Sequence, residues 1–497
     1  MTATATTSRA HVPRIAVAGA SGFIGTALCP HLAEQYQVRA LTRSPTRAAR
    51  PSAQPGLEWE YCDLFSVEAI RHGLRACDFA IYLVHSQAPS SRLTQAQPRD
   101  MDLILADNFA LAAAAHGLRQ ILFVSGLPPR GFEFAPLLWN RREVEMVLAA
   151  RGTPVTALRT SLVVGPGGSG PALLVDLVRR LPVFLLPPGA DSLTRPIALT
   201  DLIRALLHCL GHPETYTGAF DIGGADCLSY AEMLRLTAAA LGRKRVFMSV
   251  PVLPPSLAAL SAQLVSGAAL ELVGAIVESL PQDTQMRDNP VQRAIAAQAL
   301  GFRAMLAALL KPSALPPRAR ASWQPADQAQ LRAQSRVRSI QRILTPPGLD
   351  AAWVAGNYFR WLGRCCFGLV KTQVDAAGHW TVNPRWLPIT LLRLEYQPTH
   401  SDSHRRVYHI SGGWLARTPE PEPKPRSELE AMPASEPRPA VARFEFQTLL
   451  DGRYTMAAIH DYAPALPWWL YRFTQAPLHL WVMRRYQERL ARLLSAR

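Results

Sequence analysis

A chain of 497 residues is longer than one hydrophobic core ordinarily organises, so two or three domains are expected. Apolar residues make up 48%, which excludes a globally disordered chain, and a formal charge of +16 favours anionic partners. Those are a dinucleotide, an anionic membrane surface or nucleic acid; charge alone does not choose among them.

The first half alternates strand and helix signals. Strands are expected at Arg14–Ala18, Val38–Thr42, Leu57–Cys62, Phe79–Val84, Ile121–Ser125 and Val155–Arg159, with helices over Phe23–Gln35 and Arg99–His116. Strands separated by helices mean βαβ units, hence an α/β fold with a doubly wound parallel sheet. After Gly165 the pattern loosens: a helix contains Asp201, Phe220–Gly224 reads as a strand and turn, and Pro251–Leu310 is helical and apolar. Within it, Leu257–Leu280 is long enough to span a bilayer but contains Gln263, Glu271 and Glu278. Carboxylates are costly there, so a buried helix or helix pair is the better reading, with a surface-lying helix as the alternative.

Lys311–Arg342 carries four prolines, seven Lys/Arg and one acid, Asp327, and reads as a basic linker ending in a helix. A new domain is expected from near Thr345. It opens with an aromatic-rich helix over Ala351–Leu369. Strands follow at Gly368–Val374, His379–Asn383, Ile389–Tyr396, Arg406–Trp414, Arg443–Leu450 and Tyr454–Asp461, and a long helix spans Pro467–Leu494. That is an α+β layout, an antiparallel sheet closed by one helix. The Pro/Glu-rich stretch Thr418–Pro439 reads as a disordered insert. The domains are therefore 12–310, a linker 311–344 and 345–497.

The strongest motif is Gly19-Ala20-Ser21-Gly22-Phe23-Ile24-Gly25, between the first strand and the first helix. There Gly19 permits a tight turn, Gly22 lets backbone approach a pyrophosphate, and Gly25 lets helix and strand pack closely. The N–H groups of Ser21, Phe23 and Ile24 and the positive helix end then face the phosphates. After the second strand stands Arg43 rather than the acid of an NAD site. A guanidinium suits a 2′-phosphate, so NADP(H) is favoured over NAD(H). Asp63-Leu64 after the third strand is placed to meet the adenine, Val84-His85-Ser86 to flank the adenosine ribose, and Ser125 to lie near the nicotinamide.

The seven cysteines form no CxxC pair, and Cys365-Cys366 lacks zinc spacing. They read as reduced thiols of a cytoplasmic protein, with peripheral contact at the inner membrane face as an option. Met1–Arg14 has no apolar h-region, so export is not expected. His400, His404, His409 and His460-Asp461 are scattered without metal spacing, and no metal is expected. Gly167-Gly168-Ser169-Gly170-Pro171 lacks the second glycine of a nucleophile elbow.

The glycine spacing, Asp63-Leu64 and Ser125 resemble the atypical and extended short-chain dehydrogenase/reductases over residues 12–250, and most of all the branch of NmrA-like proteins and the Rossmann accessory subunit of respiratory complex I. The tandem arrangement resembles bacterial two-domain proteins with a C-terminal domain of unknown function, through His409-Ile410-Ser411-Gly412-Gly413 and Pro467-Trp468-Trp469-Leu470-Tyr471-Arg472-Phe473-Thr474-Gln475-Ala476. The resemblance implies a catalytic Tyr and a Lys four residues later. Aligning Glu143 and Glu145 with the family's acidic pair puts Leu137 and Arg141 at those positions. Leucine transfers no proton and arginine is a poor acid–base group, so Ser125 and Arg141 are left as weak catalytic candidates. The C-terminal layout resembles START-like helix-grip folds, which implies a cavity that Trp380, Trp386, Tyr396 and Trp414 would line; plain core packing is the alternative, and the commoner one for any single residue.

Two functions remain open. One is an NADP(H)-dependent oxidoreductase acting on a small apolar or quinone-like acceptor without the usual Tyr/Lys pair. The other is a non-enzymatic NADP(H)-binding redox sensor or assembly factor. A nucleic-acid partner is not expected, and the oligomeric state is open.

Overall fold

The computed structural model describes residues 12–497 apart from 86–90, 130, 132–133, 251, 268–269, 285, 312–328, 330, 332, 366–367, 418–440 and 496–497. Ser86, most of the expected linker and the insert 418–439 lie outside the described residues. The chain divides into two compact units. One comprises residues up to 62, 70–85 and 110–322; the other comprises 63–69, 86–109 and 323–497.

The first unit is built on a seven-stranded, all-parallel sheet flanked by helices. Its strands are β1 Arg14–Ala18, β2 Gln37–Thr42, β3 Leu57–Tyr61, β4 Phe79–Tyr82, β5 Gln120–Gly126, β6 Val155–Thr160 and β7 Gly218–Asp221. They lie in the order β7-β6-β5-β4-β1-β2-β3. Because helices cover both faces, β1 does not alternate: Ile15, Ala16, Val17 and Ala18 are all fully buried. The helices Phe23–Ala33 and Leu199–Cys209 bring Leu28, Leu32, Leu202 and Leu206 into that core. Chain direction across the sheet reverses between β1 and β4, the place where such sheets open a crevice at their C-terminal edge.

The apolar stretch near residue 260 is a helix pair, Pro255–Ser266 and Leu270–Ser279. Gly267, in the left-handed region at φ +69°, closes the first helix. Ala259 and Val273 are buried, but Leu257, Leu260 and Leu264 are exposed, so the first helix of the pair is covered on one side only. Among the described residues no helix is long and apolar enough to cross a membrane.

The second unit holds an eight-stranded sheet. Seven strands, β8 Val337–Leu344, β9 Val370–Val374, β10 Trp380–Pro384, β11 Leu392–Tyr396, β12 Arg405–Gly412, β13 Arg443–Leu449 and β14 Tyr454–Tyr462, pair antiparallel in the order β9-β10-β11-β12-β13-β14-β8. The short strand Leu93–Gln95 adds to β8 in parallel. Two helices, Ala351–Cys365 and Gln475–Ser495, supply Tyr358, Phe359, Met483 and Tyr486 to the core, and the Tyr486 hydroxyl donates to Val354 O at 3.0 Å.

Three expectations need correction here. Residues 337–344, read as the helical end of a linker, are strand β8. Its apolar residues Val337, Ile340 and Ile343 recur every third position, as in a helix, and the polar Arg338 and Ser339 between them are buried as well. The single helix expected over 467–494 is broken at Thr474, whose φ −121°, ψ −75° falls outside helical geometry, giving Trp468–Phe473 and Gln475–Ser495. Trp386 and Trp414 are 71% and 70% exposed, whereas Trp380 is buried and stacks on Phe359 at 5.1 Å.

Buried charges hold the second unit together. Arg405 donates to Asn108 Oδ1 at 3.0 Å and to Glu445 Oε2 at 2.5 Å, and Arg443 clasps Glu445 from the other side. Burial alone would raise the Glu445 carboxyl, but Arg405 and Arg443 hold it well below the usual carboxylate range. Asn108 in turn donates to Leu64 O at 3.1 Å, so the early segments 63–69 and 98–109 are bound to β12 and β13 by hydrogen bonds. Within this network His460 is fully buried, and among the described residues neither ring nitrogen has a hydrogen-bond partner. Burial first, and then the Arg443 charge, push its pKa well below the ordinary imidazole value, so it stays neutral.

Candidate functional site

The loop 19–25 follows β1 directly. Gly19 takes φ +85°, and a Cβ there would lie 2.9 Å from Leu83 C and O, so both its conformation and its space require glycine. Gly25 is needed for space: a Cβ would stand 2.5 Å from Gly19 O and 2.6 Å from Ala20 Cα. The loop closes on itself through Gly22 N donating to Gly19 O at 3.0 Å, and Thr26 N donates to Gly22 O at 2.9 Å as the helix begins.

Gly22 differs from its neighbours. Its φ −79°, ψ −179° is extended backbone that any residue adopts, and a Cβ would meet only Gly19 O, at 3.2 Å. The protein itself gives little reason for glycine at this position. Gly22 is also the N-cap of helix Phe23–Ala33 and offers no side chain to cap it, and the first turn carries no acid. The first N–H groups of a helix have no intrahelical acceptor, and the helix dipole adds positive potential there. An uncapped, acid-free helix start behind a residue without a side chain fits the phosphates of a dinucleotide. Ser21, Phe23 and Ile24 are half-buried around it, and the Phe23 ring lies where a Cβ on Gly168 would meet it at 2.9 Å.

Beyond β2, Arg43 is half-buried between Thr42 and Ser44. Ser44 caps the short helix Pro45–Ala48 by accepting from Arg47 N at 3.2 Å, and Arg47 lies over the Trp59 ring at 5.2 Å. Beyond β4, His85 is exposed and the Val84 carbonyl accepts from Arg141 Nη1 at 3.4 Å.

Ser125 is buried near the end of β5, and its Oγ lies 3.5 Å from Arg141 O. Helix Pro136–Ala149 brings Arg141 alongside. Its Nη2 donates to Val124 O, and its guanidinium lies 4.6 Å from the centre of the Phe123 ring. A fixed cation therefore stands at the C-terminal ends of β4 and β5. Further along the helix, Glu145 receives Arg159 at 2.7 and 3.0 Å, while Asp221 lies 3.8 Å from Arg159. Burial raises the Asp221 carboxyl above its ordinary value despite that partner. Leu137 is half-buried and offers no titratable group.

Asp63 and Leu64 fall in the second unit. Asp63 accepts from Phe65 N at 3.1 Å and from Arg338 Nη2 at 3.3 Å, and Arg338 also reaches Asp461 at 3.0 Å and covers the Phe65 ring at 3.9 Å. The carboxylate read from sequence as an adenine contact is thus already engaged by a guanidinium 275 residues away, a partner that no local pattern announces. Among the described residues no group of His, Cys, Asp and Glu could hold a metal ion.

Residues 19–164 match a family of NAD(P)H-binding domains. The auxiliary protein GraX of Staphylococcus aureus (strain NCTC 8325 / PS 47) is 27% identical over 145 residues, 29% of this chain and 42% of that protein. The chain thus spans less than half the length of this curated relative. Among solved structures, the NADPH-dependent quinone oxidoreductase QOR2 of Escherichia coli complexed with NADPH is similar at 17% identity and a TM-score of 0.48, over 60% of this chain and 100% of that one. The triphenylmethane reductase of Citrobacter sp. follows at 16% and 0.47, over the same shares of 60% and 100%.

Proposed function

We propose that this protein holds NADP(H) on the 19–25 loop and reduces a small apolar, quinone-like acceptor; residues 19–164, which match a family of NAD(P)H-binding domains, support the binding. The observation that carries the binding is Gly22, the glycine whose absent side chain the protein's own packing does not demand. Arg43 favours NADP(H) over NAD(H), since its guanidinium suits a 2′-phosphate where an NAD site places an acid. A nicotinamide so bound supplies a hydride.

The acceptor class follows from what surrounds Ser125. Its hydroxyl can orient an acceptor oxygen, and Arg141 can stabilise negative charge developing there. With Leu137 at the family's acid position, the general-acid share, typically ~10²–10⁴-fold, is missing for a simple ketone. A quinone needs that acid less, because its reduced oxygens take protons from water. The QOR2 resemblance is compatible with this choice but does not carry it.

One observation favours binding without turnover. Arg141 already donates to Val84 O and Val124 O, so the residue at the family's lysine position is partly committed to the protein. A redox sensor or assembly factor is the corresponding second reading. Steady-state NADPH oxidation against a panel of quinones and ketones separates them. The proposal expects quinone turnover that falls in Ser125→Ala, with ketones near background. NADPH binding without oxidation by any quinone supports the sensor. Fast ketone reduction, indifferent to Ser125→Ala, refutes both.

A further inference from the structure

A two-stranded parallel sheet stands apart from the seven-stranded one in the first unit. It pairs Val183–Leu186 with Val246–Ser249, Val183 opposite Val246 and Leu185 opposite Met248. Alternation sorts its side chains by face. Phe184 and Leu186 are buried, Phe247 is partly buried beside them, and the rings of Phe184 and Phe247 stack at 5.0 Å. The other face is Val183, Leu185, Val246 and Met248, which are 41, 53, 55 and 53% exposed. Single exposed aliphatics are unremarkable, but four on one face of one small sheet form a patch.

The cations are arranged about this patch. In a parallel pair both strands enter from the same end. Arg179-Arg180 lead into the first strand and Arg243-Lys244 into the second, all four exposed. Arg245 is spent differently, with its guanidinium donating to Val178 O at 2.8 Å and Arg179 O at 3.2 Å, which ties the two approaches together. Arg180 also donates to Val265 O, joining this corner to helix Pro255–Ser266. That helix carries the exposed stripe Leu257, Leu260 and Leu264, at i, i+3 and i+7.

From this arrangement we infer that the face is a docking surface for an anionic lipid bilayer, with the aliphatic residues entering the headgroup boundary and Arg179, Arg243 and Lys244 meeting acidic headgroups. Exposed apolar side chains beside a one-sided cluster of Lys/Arg are the chemistry of interfacial binding. A second copy of the chain is the poorer occupant, since it too carries +16 and is repelled at long range, whereas an anionic surface is attracted. The inference does not rest on the proposed reductase chemistry.

The test is co-sedimentation of the full chain with vesicles of phosphatidylcholine alone and of mixed phosphatidylcholine and phosphatidylglycerol. Binding to the mixed vesicles is expected to be much the stronger and to weaken with salt. Each Lys or Arg near such a surface contributes roughly fivefold, so Arg243→Glu with Lys244→Glu should lower partitioning by about thirtyfold or more. Leu185→Ser with Met248→Ser should weaken binding as well, and that loss should not be recovered by lowering the salt. These positions are exposed, and circular dichroism checks that the variants fold. Three results overturn the inference: no sedimentation with either vesicle, full binding by the charge-reversed variant, or a concentration-dependent dimer that Leu185→Ser abolishes.

Discussion

Gly22→Ser separates a cofactor requirement from a folding requirement. Serine is a preferred N-cap, and its hydroxyl can accept from the free N–H groups of the helix start, which on helix stability alone gains a few tenths of a kcal/mol over glycine. Extended φ and ψ accept a side chain, and restricting the unfolded chain adds about 0.4–1 kcal/mol. The opposing cost is one Cβ contact with Gly19 O at 3.2 Å, which a small shift relieves. The net change is within about 1 kcal/mol, so Tm should move by no more than about 4 °C. The same hydroxyl occupies the N–H groups a phosphate needs. Losing even one charge-assisted hydrogen bond, about 1.5–3 kcal/mol, weakens NADPH by at least about tenfold. Gly25→Ala is the control, because its Cβ would stand 2.5 Å from Gly19 O and 2.6 Å from Ala20 Cα, both backbone. It should cost about 1–3 kcal/mol of stability. Differential scanning fluorimetry and fluorescence titration with NADPH give both readouts. Gly22→Ser protein that melts normally and binds NADPH as tightly as the native chain refutes the reasoning.

Arg43→Asp should narrow or reverse the preference for NADPH over NADH in paired titrations, and equal affinities in the native protein would remove the basis for that preference. Glu445→Gln leaves Arg405 and Arg443 without their buried carboxylate and should cost about 3–5 kcal/mol by denaturant unfolding. The folded pKa of Glu445 is depressed, so its contribution is complete above the unfolded value of about 4.3 and is lost as pH falls toward the folded one; the variant should lack that acid limb. His460 is also depressed, but as a base: below about pH 6.5 the unfolded chain binds a proton that the folded chain refuses. Stability should therefore fall on acidification by up to about 1.4 kcal/mol per pH unit from this residue, and His460→Phe should flatten that slope. Leu137→Tyr with Arg141→Lys, which restores the family pair, should raise ketone reduction only where an acceptor reaches Ser125; a large gain would show that this site holds substrate.

The parallel sheet and the 19–25 loop were legible because their signals are local. β1 is a short apolar run, the glycines sit at fixed spacing, and the helix begins at once. What escaped was what depends on distant partners. β8 reads as a basic linker because Arg338 and Arg342 look solvated. In the fold one is buried against Asp63 and Asp461, and the other donates to Asp100 at 2.8 Å. The strand Leu93–Gln95 is only three residues long and is specified by pairing with β8, 242 or more residues on. Aromatic character did not predict burial either, for Trp380 entered the core while Trp386 and Trp414 stayed outside. The helix break at Thr474 did have a local signal that the expected single helix ignored: Pro477 has no N–H to donate to Phe473 O, and its ring crowds that carbonyl.

A single-turnover experiment tests the central claim most directly. The full chain is loaded with one equivalent of NADPH, the complex is confirmed by its nicotinamide fluorescence, and a water-soluble quinone is mixed in while absorbance of the reduced nicotinamide is followed. The account predicts a complex that forms with native protein but not with Gly22→Val, and a loss of absorbance on quinone addition faster than in free NADPH. Failure of native protein to form the complex, or an unchanged complex in Gly22→Val, would contradict it.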